Sequence, residues 1–366
     1  MRKIKLLVDC HYFDTFFSGV TTYIKGIYNE LVKYEDVEIY LVSNKIDILA
    51  ENFPDNRFKY IELKSRSKLK RLLYEIPMLL KKYGIHYAHF QYLIPPIKRC
   101  KYIVNIHDVI FEDYGHLFPL GYRITRSALF RFSAKKADIL ITISEYSRRQ
   151  ISTHYSINYD SILVTPCGVH DKYYVPENEN EKHIKVNKDQ YLLYVSRFEP
   201  RKNHKTLIEA FFELRLYERF SLILIGKHCI ADRELQSTLN GFPEEVKARV
   251  KIIENVTEEE LIEYYRNSSL FVYPSIAEGF GIPPLEAIMS NTKVICSNAT
   301  AMSDFSFLNG YQFDPLNKDM LKRLMLKTID DENYPFSKMQ AIICREYNWK
   351  VAAKVIFDGI KKDINR

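Results

Sequence analysis

Glu278-Gly-Phe-Gly-Ile-Pro-Pro-Leu-Glu286 places two carboxylates eight residues apart, with two glycines and two prolines between them. The residues before it, Leu270-Phe-Val-Tyr-Pro-Ser275, read as a short buried strand ending in turn chemistry. The residues after it, Leu285-Glu-Ala-Ile-Met289, read as a helix with Pro283 or Pro284 near its first position. A strand, a glycine loop and a helix N-terminus offer free backbone N–H groups and a positive dipole end to an anion. Gly279 and Gly281 allow close backbone approach. Glu278 and Glu286 would repel phosphate, but an ionised carboxylate accepts hydrogen bonds and suits vicinal hydroxyls. Phosphate held between two readers of hydroxyl groups describes a nucleotide-sugar site. The plain alternative is a strand-to-helix turn with two surface glutamates.

The same architecture recurs along the chain. Residues 3–8 form a first strand, and Phe13-Asp-Thr-Phe-Phe-Ser18-Gly19 leads into a helical pattern at Tyr23, Ile27 and Leu31. Strands are expected at Val37 to Val42, His86 to Phe90, Tyr102 to Ile106, Asp138 to Ile143 and Ile162 onward. In the second half they are expected at Tyr191 to Ser196, Ser221 to Gly226, Val250 to Val256, Leu270 to Ser275 and Lys293 to Ser297. Helical patterns lie between them, with Ser144 and Thr257 as N-caps. Lys68 to Tyr83 carries an apolar stripe with Lys and Arg on the other face, interrupted at Pro77. Strands alternating with helices, twice over, predict an α/β chain with two doubly wound parallel sheets. Ligands in such folds lie at the carboxyl ends of the strands. His107 and the Arg197-Phe-Glu-Pro-Arg-Lys202 run both fall there.

These motifs resemble those of family-4 retaining glycosyltransferases, whose fold, GT-B, has two Rossmann-like domains. The nonapeptide matches the family's E-x7-E motif, Arg197 and Lys202 match its basic pair, and Gly19 matches its first glycine loop. Ser18 and Ser196 stand where the family has glycine, and Cys167 where it commonly has asparagine. The resemblance spans nearly the whole chain. It implies a metal-independent enzyme without cofactor that binds a nucleotide-sugar donor in the interdomain cleft. Glu286 would hold ribose hydroxyls. Glu278 with Gly279, Phe280 and Gly281 would hold the sugar and its phosphate. Arg197 and Lys202 would neutralise the diphosphate, and His107 would meet a sugar hydroxyl. Resemblance also implies front-face displacement, with a donor phosphate oxygen taking the acceptor proton. The Gly-Phe-Gly-Ile-Pro-Pro-Leu-Glu variant is similar to bacterial mannosyltransferases of surface polysaccharide assembly, which points to GDP-mannose and a saccharide or lipid-linked saccharide acceptor. The alternatives are a UDP-sugar-dependent transferase, a nucleotide-sugar epimerase or hydrolase on the same fold, and a non-catalytic binding module.

The expected domains are 1–174, joined by the C-terminal helix 347–366, and 190–346, with a polar linker at 175–189. A length of 366 residues lets each domain bury a core. The six cysteines are scattered without a C-x-x-C pair, which argues for a reduced, cytoplasmic chain without a metal site. The first apolar run is too short for a signal peptide. Residues 1–175 hold 26 Lys and Arg against 18 Asp and Glu, whereas the remainder holds 27 against 28. A basic first half predicts an anionic partner, whether lipid phosphate, a membrane surface such as the inner face of the membrane, or nucleic acid. Lys68, Lys70, Arg71, Lys81 and Lys82 make one basic run; Arg123, Arg126, Arg131, Lys135 and Lys136 make another. No nucleic-acid-binding module is recognisable.

Overall fold

The computed structural model describes residues 3–15, 18–175, 190–227 and 233–365. Phe16 and Phe17 of the first loop, Cys229, and the expected linker beyond Val175 lie outside them. The chain divides into two compact units, Met1–Gly168 with Tyr347–Arg366, and Val169–Glu346.

Unit 1 holds β1 (Ile4–Asp9), β2 (Val37–Ser43), β3 (Lys59–Glu62), β4 (Tyr87–Gln91), β5 (Lys101–Asn105), β6 (Ile139–Thr142) and β7 (Ile162–Val164). Their order is β3-β2-β1-β4-β5-β6-β7, with every pairing parallel. A parallel sheet is covered on both faces, so its strands are apolar almost throughout. Leu6, Leu7 and Val8 of β1 accordingly have no exposed surface. Unit 2 holds β8 (Tyr191–Val195), β9 (Ser221–Ile225), β10 (Val250–Ile253), β11 (Leu270–Tyr273), β12 (Val294–Ser297) and β13 (Gln312–Phe313). Their order is β10-β9-β8-β11-β12-β13, again all parallel. These are two Rossmann-like sheets. Their switch points fall between β1 and β4 in unit 1 and between β8 and β11 in unit 2.

Two short strands escape the sequence pattern. β3 lies at a sheet edge with Ile61 its one buried residue, and β13 is two residues long. The run from Lys68 to Tyr83 also differs from its expected form. It is helical throughout, but Arg71–Glu75 forms a π turn between Lys68–Lys70 and Ile76–Tyr83. Pro77 lies just after that π turn, and the helix continues through it. A π turn adds a residue to one turn, so a 3.6-residue wheel drawn through it assigns faces wrongly. Arg71 is the case in point: it belongs to no solvated basic face but is buried, 7% exposed.

The helix Trp349–Ile364 packs on unit 1, against the helix Gly19–Leu31 and strands β6 and β7. Asp363 accepts hydrogen bonds from Tyr87 Oη at 2.5 Å and Lys101 Nζ at 2.7 Å. Gly26 faces the Trp349 indole so closely that a Cβ would lie 2.1 Å from the ring. Replacing a mid-helix glycine by alanine ordinarily stabilises by about 1 kcal/mol. Here the rigid indole reverses the sign, and Gly26→Ala should destabilise by about 1–3 kcal/mol. Urea unfolding of both proteins checks this, and adding Trp349→Ala should remove the penalty of the alanine.

Candidate functional site

Strands β8 and β11 are neighbours, with Leu192 opposite Leu270 and Leu193 opposite Phe271. Their carboxyl ends therefore deliver Ser196–Asn203 and Pro274–Gly281, far apart in sequence, to one place. Hydrogen bonds lace the two loops: Ile276 N–H donates to Arg201 O at 2.8 Å, and the Asn203 side chain donates from Nδ2 to Pro274 O at 3.2 Å. Gly226, just after β9, is needed nearby, because a Cβ there would lie 1.8 Å from Ser196 O.

Glu278 is the centre of this arrangement and is buried. Its Oε1 accepts from Lys202 Nζ in a short ion pair and from Tyr273 Oη at 2.8 Å. Its Oε2 accepts from Arg201 Nη1 at 3.0 Å. Burial by itself would raise the carboxyl pKa; Lys202 and Arg201 reverse that and hold it at about 2. Burial lowers the Lys202 pKa, the Glu278 charge raises it, and Arg201 lowers it again, with a net fall. Arg201 also reaches Glu199 at 2.9 Å and Ala277 O at 2.6 Å, so one guanidinium fixes both loops.

The sequence reading gave Arg201 no role, although it stands next to Lys202. Arg197, by contrast, is 59% exposed along its side chain and pairs with Glu199 at 3.0 Å. Tyr273 and Thr300 were also unforeseen. Thr300 Oγ1 accepts from Glu278 N–H at 2.9 Å, and Thr300 has φ +53°, a conformation that β-branched residues avoid. Gly281 caps the helix Ile282–Met289 at φ +100°, which only glycine adopts without strain. Phe280 is buried edge-on against Phe305, with ring centres 5.7 Å apart.

Glu286, on that helix, is half-buried and accepts from Tyr265 Oη at 2.9 Å. Burial raises its pKa to about 7, with Glu258 adding to the rise and Tyr265 and Lys172 opposing it.

In unit 1, His107 follows β5 and Gln91 ends the adjacent β4. Gln91 Oε1 can only accept, so at 2.8 Å it takes the proton of His107 Nε2. Gln91 Nε2 then donates to His89 Nε2 at 3.2 Å, and His89 Nδ1 donates to Tyr28 Oη. One direction of hydrogen bonding serves these three bonds and leaves His107 Nδ1 as an acceptor; Asn105 Nδ2, 3.3 Å from the protonated Nε2, then finds no acceptor there, and Asn105 Oδ1 is buried without a partner. Burial drives the His107 pKa down to about 3, so the imidazole is neutral. The ring lies between Tyr23, edge-on at 4.9 Å, and Tyr92, stacked at 5.3 Å. Tyr92 holds φ +62°, strain of the kind that collects at functional sites. Gly19 begins its helix with open space where a Cβ would point.

Residues 17–173 match the Glycosyltransferase Family 4 family, and residues 176–348 match Glycosyl transferases group 1. The O-antigen chain mannosyltransferase B of Escherichia coli is 30% identical over 263 residues, 69% of this chain and 67% of that protein. The chain belongs to glycosyltransferase family 4. The Escherichia coli serotype-specific mannosyltransferase WbdA is 28% identical over 240 residues, but this match spans 62% of the chain and only 29% of WbdA. Sucrose-phosphate synthase of Thermosynechococcus elongatus superposes with a TM-score of 0.77 over the whole of both chains at 18% identity, which speaks for the fold alone. This glycosyltransferase thus has two Rossmann-like units, and none of the described helices is long and apolar enough to cross a membrane.

The Glu286 pKa makes a stability prediction with a definite sign. A carboxyl whose pKa is raised by folding contributes stability below its unfolded value, near 4.5, and loses it as pH rises through about 7. Between pH 8 and pH 6 the ligand-free protein should gain up to about 1.4 kcal/mol from this group. Urea midpoints at the two pH values, compared between wild type and Glu286→Gln, isolate it. Equal pH dependence in both proteins would assign the titration elsewhere.

Proposed function

We propose that this glycosyltransferase moves mannose, with retention of configuration, from GDP-mannose to a saccharide or lipid-linked saccharide of a surface polysaccharide. The observation that carries the reading is the Lys202–Glu278–Arg201 cluster at the switch point of unit 2, beside a helix N-terminus. The named mannosyltransferase relatives support the choice of sugar and of acceptor class. Lys202 would place its charge beside the leaving diphosphate, where negative charge grows in the transition state. Arg197, exposed enough to move, would close on the same group. Glu278 would accept from donor-sugar hydroxyls while the amides of Gly279, Phe280 and Gly281 face the phosphate. Glu286 would accept from ribose hydroxyls, which favours its ionised form and draws its pKa below the ligand-free value. Within unit 1, neutral His107 would use Nδ1 to accept from a sugar hydroxyl, and Gly19 would give substrate close access to backbone.

Thermal shift against GDP-mannose, UDP-glucose, ADP-glucose and dTDP-glucose tests the donor. GDP-mannose should raise the midpoint most, by mass action on the folded state. No stabilisation by any of them would overturn the reading. Steady-state kinetics test the chemistry. Lys202→Ala should lower kcat by 100- to 1,000-fold, on the order of 2.7–4 kcal/mol, with a smaller change in donor KM. An unchanged kcat would remove Lys202 from the reaction.

The same reading gives unit 1 a peripheral place on an anionic membrane. Leu69, Met78 and Leu120 are exposed at 70%, 68% and 65%, among exposed Lys68, Lys70, Lys81 and Lys82 on the first helical run and Arg131, Lys135 and Lys136 on the second. Apolar side chains set among basic ones suit an interfacial position. Co-sedimentation with phosphatidylglycerol vesicles should be strong at low salt and weaken at high salt. Protein that stays in the supernatant at low salt would place the acceptor in solution.

A further inference from the structure

A glutamate side chain on a helix can take several rotamers, whereas a reader of two adjacent hydroxyls has to hold one. In unit 2 the direction of Glu286 is fixed from a neighbouring helix. Tyr265 Oη, on Glu258–Asn267, donates to Glu286 Oε2 at 2.9 Å. Burial pushes the Tyr265 pKa well up, so the phenol keeps its proton and acts as donor toward the carboxylate. The phenol is itself held. Tyr265 has no exposed surface, and its ring centre lies 5.5 Å from that of Phe271 and 6.0 Å from that of Tyr173. Its carbonyl accepts from Ser268 Oγ at 3.1 Å and, in a shorter bond, from Thr292 Oγ1, just beyond the helix that carries Glu286. Two bonds thus join the tyrosine to the Glu286 helix and the turn after it. Burial raises the Glu286 pKa, Tyr265 opposes the rise, Glu258 adds to it, and Lys172 and Tyr173 of the turn Asp171–Tyr173 oppose it. Lys172 is in turn paired with Glu258. The helix Phe336–Glu346 meets the Glu286 helix through uncharged Gln340, which donates to Ile288 O at 3.0 Å.

We propose that Tyr265 is a positioning residue of the donor site: its phenol holds one oxygen of Glu286 and turns the other toward the vicinal hydroxyls of the donor ribose, so that the pair selects ribonucleotides over nucleotides that lack those hydroxyls. Tyr265 does not touch the donor; it acts through the carboxylate. An ionised carboxylate has about four lone-pair sites, and the phenol occupies one of them. Without that donor the desolvated carboxylate takes up a proton more readily, and its rotamer is no longer set. A protonated carboxyl has less acceptor capacity for a diol than an ionised one. The role rests on the proposed contact of Glu286 with ribose; the bond between Tyr265 and Glu286 stands without it.

Calorimetry of the intact protein with GDP and with 2′,3′-dideoxy-GDP, at pH 8 where Glu286 is largely ionised, tests the role. Wild type should bind GDP about tenfold or more tightly than the dideoxy nucleotide, the worth of hydrogen bonds to a charged acceptor. Tyr265→Phe keeps the buried ring and removes only the hydroxyl. It should cut that preference at least threefold and leave affinity for the dideoxy nucleotide within twofold of wild type. Glu286→Gln should cut the preference as well, and adding Tyr265→Phe to it should change the preference no further, since the phenol acts through the carboxylate. Acid gives a second readout. The wild-type preference for GDP should fall as pH drops through about 7, and in Tyr265→Phe the fall should begin at higher pH, because the lost bond favoured the ionised form. Tyr265→Phe that weakens both nucleotides equally, with the pH course of wild type, would make the tyrosine merely structural and overturn the proposal; so would an unchanged preference. Equal affinity of wild type for the two nucleotides would overturn the ribose role of Glu286 and that of Tyr265 with it. Wild type that binds neither would overturn the proposed function itself, and the role of Tyr265 would fall with it.

Discussion

A carboxylate buried at Glu278 is tolerable only because two cations meet it. Desolvation alone would leave it protonated; Lys202 and Arg201 make the ionised form the stable one. Those cations come from the loop after β8, and the carboxylate from the loop after β11. The parallel pairing of those two strands is therefore the constraint on which the chemistry of unit 2 depends. Arg201 ties the arrangement together by bonding Glu199, Glu278 and the Ala277 carbonyl at once. The strained backbone at Thr300 is held by the same contacts, since its hydroxyl takes the Glu278 amide.

Unit 1 solves a different problem at its own switch point. The polar chain from Tyr28 through His89 and Gln91 to His107 is buried and uncharged, so it needs correct hydrogen-bond direction rather than counter-ions. Glutamine is what makes the direction unique, because its two ends are chemically different. Two histidines with pKa values near 3 behave there as neutral dipoles. The adjoining Asp9–Arg71 pair departs from this pattern, being charged, buried and incompletely bonded.

The alternation of apolar strands and amphipathic helices was readable along the chain because each parallel strand is buried on both faces. So were the caps at Ser144 and Thr257, whose hydroxyls accept from Ser147 N and Glu260 N. The strands β3 and β13 were not, since an edge strand and a two-residue strand leave no apolar run to detect. Arg201 was hidden by company: in a run of charges, sequence gives no reason to prefer one arginine over another. The structure separates them by burial, leaving Arg197 on the surface and turning Arg201 inward.

By itself, then, the sequence determined the fold class, through periodicity, and the positions of Glu278, Lys202 and His107 at strand ends and of Glu286 on the helix that follows, through local turn chemistry. Tertiary structure decided which of these groups touch. It set Lys202 against Glu278, recruited Arg201, Tyr273 and Thr300, and gave Glu286 and His107 their shifted pKa values, because desolvation and charge pairing depend on neighbours brought together by strand order. It also decided the fate of Arg71. A helical wheel places that residue with the solvated lysines; one π turn and the Asp9 carboxylate carry it inside.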